Sequence, residues 1–423
     1  MPASLSPHLD TVDFFEGLDP KSLIAAFGSP LYVYNERILR NNLRTLKNLV
    51  HLPEFDVNYS VKANANPHLL RIVREEGLVV DAMSPGELAL DRMAGFPKES
   101  ILYISNNNSR EEMANAIAHG VLVSVDSLSQ LEQYGSLNPG GSVMVRMNPG
   151  IGDGASDKVI TAGKATKFGI VPEKLESVLA LLTRYNLTLA GINQHIGSLF
   201  MHKEGYLKAC AVLLNLAEKL PKERFANLRI LDFGGGFGIP YHKHASESPL
   251  DMKAVGEELE SLLLSWQQRH GYLGRFLVEP GRYAMAEAGV LLGTVVAVKD
   301  NGIHHFTGTD IGFSVLMRPV LYDSYHEIEI YPHTASDREE LAQTVTGNIC
   351  ESGDILAKNR LLPRMEEGDI IALLDAGAYG MSMSSNYTQR FRPAEICITA
   401  GGARLIRRRD TIETLLAPYQ GLA

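Results

Sequence analysis

Between residues 56 and 281 the chain alternates short β-type runs with helix-length segments eight times, a grammar that few folds accept. The runs are DVNYSVKA (56–63), GLVVDAM (77–83), SILYISN (100–106), LVSVDS (122–127), VMVRMNP (143–149), LTLAGINQHIG (187–197), LRILDFGGG (228–236) and GRFLVEPG (274–281). Between them, segments such as PHLLRIVREE and EEMANAIAHG space apolar residues at i, i+3 and i+4, as a helix with one buried face requires. Eight strand-helix units in roughly 225 residues match an α/β architecture of the (β/α)8 TIM-barrel type, for which about 250 residues is typical.

Beyond residue 285 the grammar changes. Strand-like runs follow one another with little helix between them: GVLLGTVVAV, HHFTGTDIG, HEIEIYP, QTVTGNIC, DIIALLDAG and EICITAGG. This predicts a second, antiparallel β domain, sandwich or small barrel, to which PLYVYN (30–35) adds a strand. The expected divisions are an N-terminal segment 1–36, a barrel 37–284 and a β domain 285–423, and 423 residues suffice for two such cores.

Charge and composition exclude several partners. Lys plus Arg number 40 against 49 Asp plus Glu, a net charge of −9, and no basic stripe is present to follow a nucleic acid. The compact run Arg407-Arg408-Arg409 is accounted for by a solvated strand edge. No apolar run is long enough for a membrane helix, and MPASLSPHLDTVDFF lacks the basic and apolar parts of a signal peptide, so a cytoplasmic location is expected. Cys210, Cys350 and Cys397 are odd in number and scattered, which suits a reducing compartment better than a disulfide framework. The histidines of HKH and HH have no matching carboxylate or cysteine set, and no metal is expected.

Polar residues gather at the C-terminal ends of the eight runs: Lys62, Asp81, Asn106, Arg146 with Asn148, His195, the glycines from Gly234, and Glu279. In a barrel those ends form the face where ligands and catalytic groups meet. Lys62 is the least expected of them, because a lysine is rarely buried unless it snorkels, pairs, or is covalently occupied. At a barrel mouth its amine can attack a carbonyl, and a Schiff base with an aldehyde cofactor is the natural use; for a lone lysine, binding phosphate or forming an ion pair is the better reading. The covalent reading requires a phosphate site and a carboxylate for a ring nitrogen.

Both requirements have candidates. LDFGGGFGIPY puts Gly234, Gly235, Gly236 and Gly238 after the seventh run, where barrels commonly bind phosphate with backbone N–H groups; a tight turn would explain the glycines as well. A dinucleotide fingerprint would need glycine at 239, where Ile239 stands. VEPGRY supplies Glu279 with Gly281 and Arg282, and a carboxylate facing a pyridine nitrogen keeps it protonated, so the ring can take up an electron pair. In NQHIGS, His195 could stack on a cofactor ring and Ser198 could bind its phosphate, although a strand-end histidine also serves structurally. MRPVLYDSYHE, NICESGD and DAGAYGMSMSSNY in the second domain are richer in polar and aromatic groups than a β core needs, and suggest a second half-site.

Seven motifs in order, YSVKAN, HIGS, GGGFGIPY, EPGRY, MRPVLYDSYHEI, CESGD and DAGAYGMSMSSNY, resemble the pyridoxal-phosphate-dependent decarboxylases of the alanine racemase fold type, most closely the diaminopimelate decarboxylases, from about residue 28 to residue 402. The resemblance implies that Lys62 holds pyridoxal 5'-phosphate, His195 stacks on its ring and Glu279 binds the ring nitrogen. It assigns the phosphate to Ser198, Gly235, Gly236, Gly281 and Tyr379, the distal carboxylate of the substrate to Arg282, Arg318 and Tyr322, and counts Tyr379 among the substrate-binding residues as well. Cys350 and Glu351 would enter the active site of a partner subunit in a homodimer, Glu351 on the distal amine, with Cys350 or Lys62 returning a proton to the α-carbon.

The activity implied is removal of carbon dioxide from meso-2,6-diaminopimelate to give L-lysine, the last step of lysine biosynthesis. Gln194, Leu199 and Asn348 differ from the family pattern and leave open a decarboxylase of D-lysine, D-ornithine or carboxynorspermidine, against which Arg282, Arg318 and Tyr322 argue. An amino-acid racemase is opposed by Glu279, since a protonated ring favours decarboxylation. The glycine-rich segment 148–170 reads either as a mobile lid or as an ordered part of an interface.

Overall fold

A computed structural model of the protein describes residues 7–152, 162–163, 166–245, 247–334 and 337–422. The chain divides into two compact units, one of residues 40–239 and 249–284, the other of residues 1–39, 240–248 and 285–423. Much of the segment read as a lid or interface, 153–161 and 164–165, lies outside the described residues.

The first unit is a closed barrel of eight parallel strands: Phe55–Tyr59, Val79–Ala82, Ile101–Ile104, Leu122–Val125, Ser142–Arg146, Thr188–Asn193, Ile230–Asp232 and Arg275–Val278. Closure is made by the first strand on the eighth, with Phe55 opposite Phe276 and Val57 opposite Val278. All eight expected runs are strands, each shorter than its run. The residues left over at the C-terminal ends become the loops that carry polar groups.

Helices start promptly after several of these loops because the sequence supplies caps. Asn66 and Ser84 cap Pro67–Glu75 and Pro85–Ala94 with their side chains, each followed by a proline whose missing N–H costs nothing at a first helical position. Ser109 and Glu112 form a reciprocal capping box before Arg110–Ala118. Inside the barrel, Leu102, Ile104, Met144, Ile230 and Leu277 pack as one apolar cluster.

In the second unit the organising strand is Gly289–Asp300. Its first half pairs with Leu31–Asn35 and Ile370–Leu373, its second half with His305–Thr309, and the register shifts between Val295 and Ala297. Leu31–Asn35, the strand expected from PLYVYN, lies parallel to Ala394–Thr399, and His305–Thr309 lies parallel to Glu340–Thr346. The sheet is therefore mostly, not purely, antiparallel. Phe14, Leu23, Val33, Leu292, Ile370 and Ile396 belong to its apolar core.

Two strands escaped the sequence reading. Ile355–Pro363 has Lys358, Asn359 and Arg360 at its centre, and Gly402–Arg407 has no fully buried residue, so neither shows an apolar run. The arginine cluster is also less solvated than expected. Arg407 Nη2 donates to Asp410 Oδ1 at 2.6 Å and Arg409 Nη2 to the Pro30 carbonyl at 2.5 Å, so those two side chains serve internal bonds. No helix among the described residues is long and apolar enough to cross a membrane.

Candidate active site

Lys62 stands three residues past the end of the first strand, in a 3-10 turn of Val61–Ala63, and not on the strand itself. The turn is held from the second strand. Asp81, fully buried, accepts from Ser60 Oγ at 2.9 Å and from the Val61 N–H at 2.8 Å. Burial, followed by the Glu279 charge, pushes the Asp81 carboxyl up to about 8, while the Lys62 charge pulls it down. The same lysine charge acts on Glu87, His195 and Glu279, so the amine lies within electrostatic reach of all three.

Glu279 follows the eighth strand and is 6 % exposed. Burial alone would raise its carboxyl; the Lys62 charge and a hydrogen bond from Asp232 oppose that, and the carboxyl lies below the usual carboxylate range. Asp232 ends the seventh strand, and its carboxyl is raised by burial and next by the Glu279 charge. Of the pair, Asp232 keeps the proton and Glu279 the charge. Asp232 was not singled out from sequence, although an acid immediately before a glycine run at a strand end was the available signal.

His195 lies beside this pair. Its Nδ1 accepts the Gly235 N–H at 3.0 Å and is 3.6 Å from Glu279 Oε2, a contact too long for a hydrogen bond. Accepting at Nδ1 places the ring proton on Nε2. Burial lowers the imidazole to about 4, so the ring is neutral at neutral pH and presents an uncharged face. The Gly235 N–H is thus already engaged by His195.

The glycines are required by backbone packing. A Cβ at Gly235 would stand 1.9 Å from the Glu279 carbonyl oxygen, and one at Gly236, where φ is +110°, would stand 2.6 Å from the Gly197 oxygen. Ser198 Oγ accepts from Arg282 Nη2 at 2.9 Å and Nε at 3.3 Å, which leaves its own hydroxyl hydrogen to donate. Sequence reading separated these two residues between phosphate and substrate. The structure puts the guanidinium on the serine.

Among the described residues, several buried polar atoms in this mouth have no hydrogen-bond partner: Glu279 Oε1, Asp232 Oδ2 and Arg146 Nη2. Asp232's proton answers for the carboxyl pair, while no described residue accepts the Arg146 N–H, and an unmet buried donor costs about 1–3 kcal/mol. Together with the Lys62 amine, a neutral imidazole and a serine hydroxyl beside a glycine turn, this donor set suits a ligand with a carbonyl carbon, a basic ring nitrogen and an anionic group.

Residues 36–286 match the family model described as Pyridoxal-dependent decarboxylase, pyridoxal binding domain. A diaminopimelate decarboxylase of Methanothermobacter thermautotrophicus is 38 % identical over 95 % of this chain and 94 % of its own. This chain belongs to the diaminopimelate decarboxylase family of pyridoxal-dependent decarboxylases. The Escherichia coli member is 34 % identical over 93 % of this chain and 94 % of its own. Among solved family members, the Helicobacter pylori enzyme complexed with L-lysine has a TM-score of 0.87 at 26 % identity, covering 96 % of this chain and 100 % of that one. A lysine/ornithine decarboxylase of Vibrio vulnificus, at 22 % identity and a TM-score of 0.76 over 90 % of this chain and 97 % of that one, shares the fold. The cofactor of the family is pyridoxal phosphate, and the donor set above fits it.

The remaining expected residues lie in the β unit. Tyr379 takes a left-handed backbone (φ +57°) in the loop after Ile370–Leu373, where a Cβ at Gly377 would come within 2.0 Å of the Met285 oxygen. Arg318 and Tyr322 bound a short helix, Arg318 buried and Tyr322 half-buried. Cys350 and Glu351 are exposed on a turn folded by Asp354, which accepts the Phe313 and Ile349 N–H groups at 2.7 Å each. Glu351 is hydrogen-bonded by the Tyr387 hydroxyl. Asn348 uses its side-chain amide to bond the Asp310 carbonyl at 3.0 Å.

Proposed function

We propose that this chain converts meso-2,6-diaminopimelate into L-lysine and carbon dioxide, the last step of lysine biosynthesis, with pyridoxal phosphate as cofactor. The observation that carries the reading is Glu279, a buried carboxylate held ionised at a barrel mouth, in a chain 33–38 % identical to diaminopimelate decarboxylases over nearly full length. Bound pyridoxal phosphate supplies an electron sink conjugated to the substrate α-carbon.

The roles of the protein follow from the donor set. Lys62 Nζ would hold the cofactor through its aldehyde carbon. Glu279 would accept the N–H of the ring nitrogen and keep it protonated, as an arginine there could not. Neutral His195 would stack on the ring without competing for Glu279's charge. The Ser198 hydroxyl, with Gly236, Gly281 and Tyr379, would receive the phosphate, Gly235 giving its N–H to His195 and its open side to the Glu279 carbonyl. Arg282, Arg318 and Tyr322 hold the carboxylate that is not lost, while Lys62 Nζ or Cys350 Sγ returns a proton to the α-carbon.

The substrate is tested by carbon dioxide release from cofactor-loaded protein given meso-diaminopimelate, D-lysine or D-ornithine separately. Diaminopimelate should be turned over far faster than the other two. A preference for either D-diamino acid would overturn the substrate while leaving the cofactor chemistry in place.

The active form is proposed to be a homodimer in which Cys350 and Glu351 serve a partner's site. Mixing inactive Glu351→Ala and Lys62→Ala subunits should then regenerate activity, because one of the two sites in the hybrid receives both native residues. Absence of recovery, with subunit exchange demonstrated by mass, would place Glu351 in its own subunit's site. A cytoplasmic location is proposed with the enzyme, consistent with three free cysteines.

A further inference from the structure

The motif MRPVLYDSYHEI contains a residue that the proposed chemistry leaves unused. His326, 2 % exposed, sits immediately before the pair Glu327 and Ile328 that leads into strand Ile328–Tyr331, eight residues after Arg318. The chain returns to Arg318 because Asp323 adopts a left-handed conformation (φ +55°) that ends the helix Arg318–Tyr322. The imidazole then comes against the guanidinium, with Nε2 2.8 Å from Arg318 Nη1.

The other side of the ring determines what that contact is. His326 Nδ1 is 2.6 Å from the Leu374 carbonyl oxygen, which can only accept, so Nδ1 carries the hydrogen. Nε2 is left with its lone pair, and the Arg318 N–H donates to it. The backbone supports the same arrangement, since the Leu374 N–H donates to the Glu327 carbonyl at 3.0 Å. Tyr241 completes the clamp: Arg318 Cζ lies 4.7 Å from its ring centre, and the His326 ring meets it edge to face at 5.6 Å and 82°.

We infer that His326 is a positioning residue for substrate recognition: as a neutral acceptor it orients the Arg318 guanidinium, with Tyr241 at its face, without neutralising the charge that must bind a carboxylate. The distinction from a carboxylate partner is physical. An aspartate or glutamate at this point would form an ion pair with Arg318 and compete with the incoming carboxylate for the same N–H fork. A neutral imidazole sets the plane of the guanidinium while leaving its full positive charge. The inference rests on the proposed role of Arg318 as a ligand of the substrate's retained carboxylate.

Binding of two ligands to cofactor-loaded protein, measured by calorimetry, separates positioning from general structure. L-Lysine carries the retained carboxylate, whereas cadaverine has the same amine-terminated chain without it. In His326→Asn the amide can still reach Leu374 O but is too short for Arg318; L-lysine should bind about tenfold or more weaker, the cost of disturbing one buried charge-assisted bond, with cadaverine changed by less than about twofold. His326→Gln restores an oxygen where Nε2 stood and should recover most of the L-lysine affinity. For diaminopimelate turnover, the Asn variant should raise KM with little change in kcat. Tyr241→Leu, which removes the opposing face, should show the same selective loss and serves if the Asn variant does not fold.

Equal weakening of both ligands, no weakening, or a Gln variant no better than Asn would overturn the inference. Arg318→Ala run in parallel distinguishes the premise. Selective loss of L-lysine in Arg318→Ala but not in His326→Asn rejects His326 alone. No selective loss in Arg318→Ala rejects the carboxylate role of Arg318, and the inference with it.

Discussion

Lys62→Ala protein should lack the visible absorbance that pyridoxal phosphate gains on bonding to a lysine amine, and its kcat should fall on the order of 10³-fold or more, about 4 kcal/mol of barrier. The fold should survive. Lys62 is half-buried in a turn whose position is set through the Val61 N–H and the Ser60 hydroxyl by Asp81, and neither bond involves the lysine side chain. Removing the ammonium should also move Asp81: its carboxyl already sits at about 8 through burial and the Glu279 charge, opposed by the Lys62 charge, and it should rise further. An absorption spectrum taken with added cofactor is sufficient. Wild-type-like absorbance in the variant would remove Lys62 as the anchoring group.

Glu279→Gln should keep the spectrum and lose turnover. The side chain is nearly isosteric, so packing beside His195 and Asp232 is retained, but the negative charge that holds a ring nitrogen protonated is gone. Loss of a charge-assisted bond at that atom predicts kcat lower by about 10²-fold, with a smaller effect on cofactor affinity. Asp232 provides a second readout. Its carboxyl is raised first by burial and then by the Glu279 charge, so in the variant it should ionise more readily, seen as a carboxyl band that titrates at lower pH in difference infrared spectra. Unchanged kcat would show that Glu279 does not act on the cofactor.

These two residues also show how much of the site could be read in advance. Lys62 and Glu279 were legible because a charge at the end of an otherwise apolar strand is costly unless used, and because strand order places both at one barrel face. His195, Ser198 and the glycines were legible for the same reason of position. Asp232 was passed over as part of a glycine-rich turn, and His326 as part of a motif attributed to Arg318 and Tyr322. In both cases the meaning depends on what lies opposite: Glu279 for Asp232, and Leu374 O with Arg318 for His326.

The linear order of residues determined the eight strand-helix units, the caps that start their helices, the long strand from Gly289 and the identity of the polar groups at the strand ends. These are local properties, set by apolar spacing and by turn and cap chemistry within a few residues. Tertiary structure alone decided which carboxyl keeps a proton, that His195 is neutral, and that Arg282 lies on Ser198 across 84 residues of chain. The reason is that protonation and hydrogen-bond partnership depend on burial and on charges brought close by folding, and neither quantity exists until the strands have closed on one another.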